Sequence, residues 1–138
     1  MITSVHNEHY VHLVWATWDR LPLLGPGLRE PVYAAIKSKC NALRCPVHAL
    51  GGVEDHVHLV VQVAATVTIS DLMKEVKGAS SHLVTHTIAP DTFFKWQGGY
   101  AIFGAKFDAL PALIRYVHNQ EEHHRDGTFD PRHELPTA

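Results

Sequence analysis

The stretch "EDHVHLVVQV", Glu54 to Val63, decides the fold. Its β-branched content reads as a strand. Alternate residues of a strand share a face, so His56, His58, Val60 and Gln62 point one way, and Val57, Leu59, Val61 and Val63 the other. The second set is a core face. The first puts two imidazoles on one side, close enough to share one cation. His-x-His on a strand is a common metal-ligand arrangement, but the pattern is short and arises by chance. Two histidines on a half-exposed face is the plainer account.

The elements on either side follow from their own patterns. "PVHALGGV" (residues 46–53) reads as a strand, and the tight link "GGVED" makes a hairpin with the next one. "HYVHLVWATW" (residues 9–18) reads as the first strand, and "RLPLLGPG" as a loop punctuated by Pro22, Gly25, Pro26 and Gly27. From about Glu30 to Leu43, Val32, Ile36, Cys40 and Leu43 recur at helical spacing. A second helix follows, with Ser70 as its expected N-cap and Asp71 in its first turn. Leu72, Val76, Ala79 and Leu83 form its apolar stripe; Lys74, Lys77 and Ser81 form a polar one.

"GGYAIFGAKF" (residues 98–107) reads as a fourth strand. Asp108 is the expected cap of a last helix, with Pro111 in its first turn and Leu110, Leu113, Ile114 and Val117 facing the core. After Gly127 the sequence looks irregular. The order β-α-β-β-α-β plus one helix predicts an α+β fold: a ferredoxin-like or RRM-like antiparallel sheet with helices on one face. The other face is expected to be open to a partner or ligand. Residues 1–138 are read as a single domain.

Composition narrows the function. The chain is 46% hydrophobic, enough for a real core, and contains no apolar run long enough to span a membrane. Its first ten residues carry no signal-peptide pattern, and two cysteines are too few for a disulfide framework. A cytoplasmic location is therefore expected. Cys40 and Cys45 form C-x4-C without a second pair, a weak zinc pattern. The net charge of −2 does not suit a protein that grips nucleic acid by bulk charge. Twelve histidines make a metal or acid–base site worth seeking.

The last helix carries "RYVHNQEEHHR" (residues 115–125). Residues four apart stack on a helix, so Tyr116 and Gln120 share a side, with His123 next along it. Taken alone, Tyr116 is a boundary tyrosine whose ring packs and whose hydroxyl stays wet.

"EDHVHLVVQV" followed by "YVHNQEEHH" resembles the single-tyrosine HUH transposases of small insertion sequences, including REP-associated tyrosine transposases. The His-hydrophobic-His motif is His56, Val57, His58; the tyrosine motif is Tyr116 with Gln120. "WQGGY" and "LMKEVKGASS" also look like family segments, and the similarity spans nearly the whole chain. The resemblance implies a divalent metal, Mg²⁺ or Mn²⁺, held by His56, His58 and Gln120. It implies a nucleophilic Tyr116 that cleaves single-stranded DNA at hairpin-marked ends through a 5′-phosphotyrosine. It also implies a homodimer, in which the tyrosine helix of one subunit can complete the site of the other.

Further candidates are secondary. Glu54 and Asp55 could orient an imidazole, though such residues are more often turn formers. His123 and His124 could approach the site. Arg20, Lys74, Lys77 and Ser81 are candidates for phosphate contacts, and Trp96 and Tyr100 for stacking on bases, with solvated faces and core packing as the plainer accounts. His12, His48, His82 and His86 are assigned no role. Asp19 stands where a basic residue would suit DNA, so counterion release is expected to contribute modestly. Two rival functions stay open. One is a metal-dependent hydrolase using His56, His58 and Gln120 or His124. The other is a nucleic-acid-binding domain without cleavage.

Overall fold

The computed structural model describes residues 5–136. Its strands are β1 (Tyr10–Ala16), β2 (Val47–Gly52), β3 (His56–Gln62) and β4 (Ala101–Ala105). Its main helices are α1 (Pro26–Ala42), α2 (Ile69–Leu83), α3 (Leu110–His118) and α4 (Gln120–Asp126). The sheet is antiparallel in the order β2-β3-β1-β4, which is the expected β-α-β-β-α-β arrangement.

The alternation along β3 sets two layers. Val57, Leu59, Val61 and Val63 join Val11, Leu13 and Trp15 of β1 against Val32, Ile36 and Cys40 of α1 and Leu72, Met73 and Val76 of α2. This is the main core, and both cysteines are buried within it as free thiols.

The opposite face is not open. α3 lies across β2 and β3, and Leu110, Leu113 and Val117 pack on Ala49 and Val60 in a second core. A helix with so concentrated an apolar stripe cannot leave it in water. Gly51 permits the close approach: a Cβ there would run into the Val117 carbonyl.

Several expected boundaries move. α1 starts at Pro26 rather than near Glu30, because proline is well placed in a helix's first turn, where its missing N–H is not needed. Thr68, not Ser70, caps α2; its hydroxyl accepts from the Asp71 amide at 3.1 Å. Asp108 caps nothing. It falls in a 3₁₀ turn, Phe107–Ala109, and α3 begins with Ala109 as its uncapped N-terminus. The last helix is two helices, broken at Asn119 (φ −105°, ψ 27°). α2 runs on into a π-helical turn, Val84–Ile88.

Candidate metal and nucleophile site

β3 positions the first two side chains. His56 and His58 are almost wholly buried, with ring centroids 5.0 Å apart. Each Nδ1 is engaged. The Asp55 carboxylate lies 2.7 Å from His56 Nδ1, and His12 Nε2 lies 2.8 Å from His58 Nδ1. Antiparallel pairing sets His12 opposite Val60, diagonally next to His58 on the same face. With Nδ1 occupied on both rings, both Nε2 atoms face a common centre.

The C-terminal elements close over that centre. The Gln120 amide oxygen is 3.3 Å from His56 Nε2 and 3.1 Å from His124 Nε2. Gln120 Nε2 donates to the Tyr116 carbonyl at 3.4 Å, tying the two sides of the Asn119 break together. At Gly127 the chain takes a left-handed conformation (φ 70°) and turns back, a role that suits glycine. Phe129 then stacks on His124, and the Asp130 amide donates to the Tyr116 hydroxyl at 2.9 Å. Glu134 completes the return. Its Oε1 lies 3.3, 3.1 and 3.4 Å from the Nε2 atoms of His56, His58 and His124. Its Oε2 accepts from the Tyr116 hydroxyl.

The phenol and the histidine pair therefore meet within one chain, with the His58 and Tyr116 rings 6.0 Å apart. His123 is not beside the imidazole cluster. It stacks on Tyr116 with its Nδ1 at Thr128 Oγ1, and the histidine that enters the cluster is His124. Glu54 does not orient an imidazole: its exposed carboxylate faces Arg29. Asp55 does. His12 and Glu134 are the two site residues that sequence reasoning missed.

Burial and partners set the charges. Burial opposes a proton on His56, but hydrogen bonds to Asp55 and Glu134 outweigh it and raise its pKa to about 9. Burial, then the neighbouring His58, lowers His12 to about 3, so His12 is neutral. Burial also lowers His58. Burial works against the Glu134 charge, yet the imidazoles around it hold the carboxyl well below the usual range. Burial, followed by the Glu134 hydrogen bond, pushes Tyr116 up to about 12.

Chemically this cluster could hold a cation. His56, His58, His124 and Glu134 each offer one ligand atom, and all four atoms lie within 4.8 Å of one another. Imidazole nitrogens, a carboxylate and the Gln120 amide oxygen suit a divalent ion.

The nucleic-acid candidates are scattered. Arg20 and Tyr100 line a cleft of about 840 Å³ that runs to His124 and Glu134. The guanidinium of Arg20 pairs with Asp55 at 3.4 Å, and both Asp19 and Arg20 hold positive φ, 53° and 54°. Lys77 is tied to the carbonyls of Gln97 and Gly99 at 2.9 and 2.7 Å, so it braces the loop before β4. Lys74 lines a groove between α1 and α2, away from the histidines. The carbonyl of Ser81 accepts from Thr85, and its side chain is half-buried. Trp96 is buried in the main core with its indole N–H on Ser80 at 3.0 Å, so its ring is not presented to a base.

The sequence profile of the family described as "Transposase IS200 like" matches residues 5–120. The chain belongs to this family of transposases. Among curated proteins, no sequence matches it. Solved structures share the fold, and two of them are transposases. One is a "putative transposase" from Deinococcus radiodurans R1, with TM-score 0.69 and 21% identity over 87% of this chain and 95% of that one. The other is a REP-associated tyrosine transposase bound to a REP hairpin, with TM-score 0.66 and 12% identity over 93% of this chain and 74% of that one. The profile match includes His56, His58, Tyr116 and Gln120 and ends before His124 and Glu134.

Proposed function

We propose that this transposase-family protein cleaves and rejoins single-stranded DNA through Tyr116. The phenol gives up its proton as its oxygen forms a bond to a backbone phosphorus, the bond from that phosphorus to the 3′ oxygen breaks, and the freed 3′ oxygen takes up a proton, so that none is gained or lost overall. The product is a 5′-phosphotyrosine. A 3′-hydroxyl attacking this adduct reverses the steps and reseals a strand. Because the covalent link conserves the phosphodiester's free energy, no nucleotide cofactor is needed.

The observation that carries this reading is the convergence of the Tyr116 hydroxyl, His56, His58 and Gln120 around one centre in a single chain. In the proposal His56, His58 and Gln120 hold Mg²⁺ or Mn²⁺. A divalent ion held by these residues would supply Lewis-acid polarisation of the scissile phosphate and offset charge growing on its oxygens. An ordinary tyrosine ionises near pH 10, so only about one in a thousand is phenolate at neutral pH. Tyr116 is held further from ionisation while Glu134 accepts its proton in a hydrogen bond. Substrate must therefore change that contact before attack. The cleft beside Arg20 and Tyr100 supplies a path for a strand to reach the site. Hairpin-marked ends as substrate, and a homodimer as the working form, belong to the same proposal. A hairpin substrate is supported by the solved relative bound to a REP hairpin.

The test is a denaturing gel of the protein incubated with single-stranded hairpin DNA and Mn²⁺. A covalent protein–DNA band that is lost in Tyr116→Phe supports the proposal. Cleavage that survives Tyr116→Phe would favour a hydrolase with water as nucleophile, a second reading to which His124 in the cluster lends weight. Binding without cleavage would reduce the protein to a DNA-binding domain.

A further inference from the structure

We propose that His124 and Glu134 are themselves metal ligands, so that this chain takes a borderline transition metal of the Zn²⁺ class in preference to Mg²⁺. The inference rests on the proposed function's histidine pair, to which it adds two ligands from the segment beyond the family match in place of Gln120; the scissile phosphate would bind by raising the coordination to five.

The geometry separates coordination from hydrogen bonding. Three imidazole nitrogens lie 3.1–3.4 Å from one carboxylate oxygen. Charge-assisted N–H···O bonds are shorter, about 2.7–2.9 Å, and a carboxylate oxygen has only two lone pairs in its plane. Approaches of 3.1–3.4 Å to one oxygen are long for charge-assisted hydrogen bonds. Their spacings match three edges of a tetrahedron: metal–nitrogen and metal–oxygen bonds of about 2.0–2.1 Å place ligand atoms roughly 3.4 Å apart. The outer partners are in place as well. Asp55 holds His56 from behind, His12 holds His58, and Phe129 packs flat on His124 at 5.0 Å.

Ligand chemistry sets the preference. Mg²⁺ favours octahedral oxygen and retained water, whereas three imidazoles and one carboxylate suit Zn²⁺ and its tetrahedral probe Co²⁺. Glu134 has a second task. One oxygen faces the imidazoles while the other takes the Tyr116 hydrogen bond, which links the nucleophile to the cation site through one carboxylate.

The experiment uses the full chain, freed of metal, and reads binding without DNA. Calorimetric titration with Zn²⁺ and Mg²⁺ is compared for wild type, His124→Ala, Glu134→Gln and the control His82→Ala, and Co²⁺ is added as a spectroscopic probe. One equivalent of Zn²⁺ should bind far more tightly than Mg²⁺, and Co²⁺ should give the intense visible bands of tetrahedral coordination. His124→Ala and Glu134→Gln should each weaken Zn²⁺ binding on the order of a hundredfold or more, a larger loss than outer partners of ligands cause. His82→Ala, at an exposed position of α2, should bind metal as wild type does. Circular dichroism and melting establish that each variant is folded. Unchanged Zn²⁺ affinity in both ligand variants overturns the proposal. Tighter binding in Glu134→Gln overturns it too, since the carboxylate would then be competing with the metal for the imidazoles. Weak octahedral Co²⁺ bands overturn the four-ligand site. Failure of the covalent DNA band would sink the transesterase reading while leaving this result standing.

Discussion

His12 and His58 form a buried pair, with His12 Nε2 2.8 Å from His58 Nδ1 and the rings nearly parallel at 23°. Only one of the two facing nitrogens can carry the proton. A cation taken through His58 Nε2 requires the proton on His58 Nδ1, donated to His12. His12 then keeps its own proton on Nδ1, which has no partner among the described residues. An orphaned donor in a buried site costs free energy, and in the proposed site the return for that cost is the fixed orientation of His58.

Replacing that support should therefore cost metal binding more than folding. His12→Leu is expected to lower metal affinity by about 10–100-fold, the usual loss when an outer partner of a ligand is removed. Calorimetric titration checks this, with a melting curve as the folding control. An unchanged dissociation constant would show that His58 needs no orienting neighbour.

The charge on His56 gives a pH signature. Its pKa is raised to about 9 from an ordinary 6.5. The protonated form is thus favoured by the fold, and its contribution to stability is complete below about 6.5 and lost as pH rises through about 9. Glu134, held low, works in the opposite sense: its contribution is present above the ordinary glutamate range and lost as pH falls below it. Metal-free protein, kept so with chelator, should melt at progressively lower temperature from pH 6.5 to 9.5. Asp55→Asn removes one of the two partners that raise His56 and should flatten this decline. A decline as steep in the variant as in wild type would assign the effect to another group.

Much of this was written locally in the sequence. The period of two in residues 54–63 fixed β3 and both faces, and Tyr116 and Gln120 kept their mutual placement despite the break at Asn119. What escaped depended on pairing between distant segments. His12 alternates in phase with Val14 and Ala16, away from Val11, Leu13 and Trp15, but its meeting with His58 needs the β1–β3 register. Glu134 lies in a segment without periodicity, and only the Gly127 turn brings it back over the site. Its signal was faint: a left-handed glycine cap followed by an acidic residue near a cluster of histidines. The closed second face could have been foreseen, because the stripe Leu110, Leu113 and Val117 needed a partner and the sheet's free face was the available one.

Trp96 offers a test of packing against base stacking. It makes edge contacts with Trp15 and Phe94 at 5.9 and 5.0 Å in the main core. Truncation to alanine should cost about 3–5 kcal/mol, as for other large core aromatics. Chemical denaturation measures this directly. Wild-type stability combined with weakened DNA binding would return Trp96 to the nucleic-acid surface.

Gly51→Ala isolates the seating of the tyrosine helix. Gly51 needs no unusual backbone angle, so alanine adds only a methyl group, and that methyl meets the Val117 carbonyl of α3. Backbone cannot rotate away as a side chain can, so α3 must shift from β2. Overpacking of this kind costs about 1–3 kcal/mol. Val117 adjoins Tyr116, whose hydroxyl must stay in register with His58 and Glu134. Small displacements of a nucleophile are costly, because attack needs close alignment. The variant should remain folded with a lowered melting temperature, and its single-turnover rate of forming the covalent DNA adduct should fall by about 10-fold or more. Both quantities come from one preparation. A stability loss with a wild-type adduct rate would mean that the tyrosine's position does not depend on how α3 meets β2.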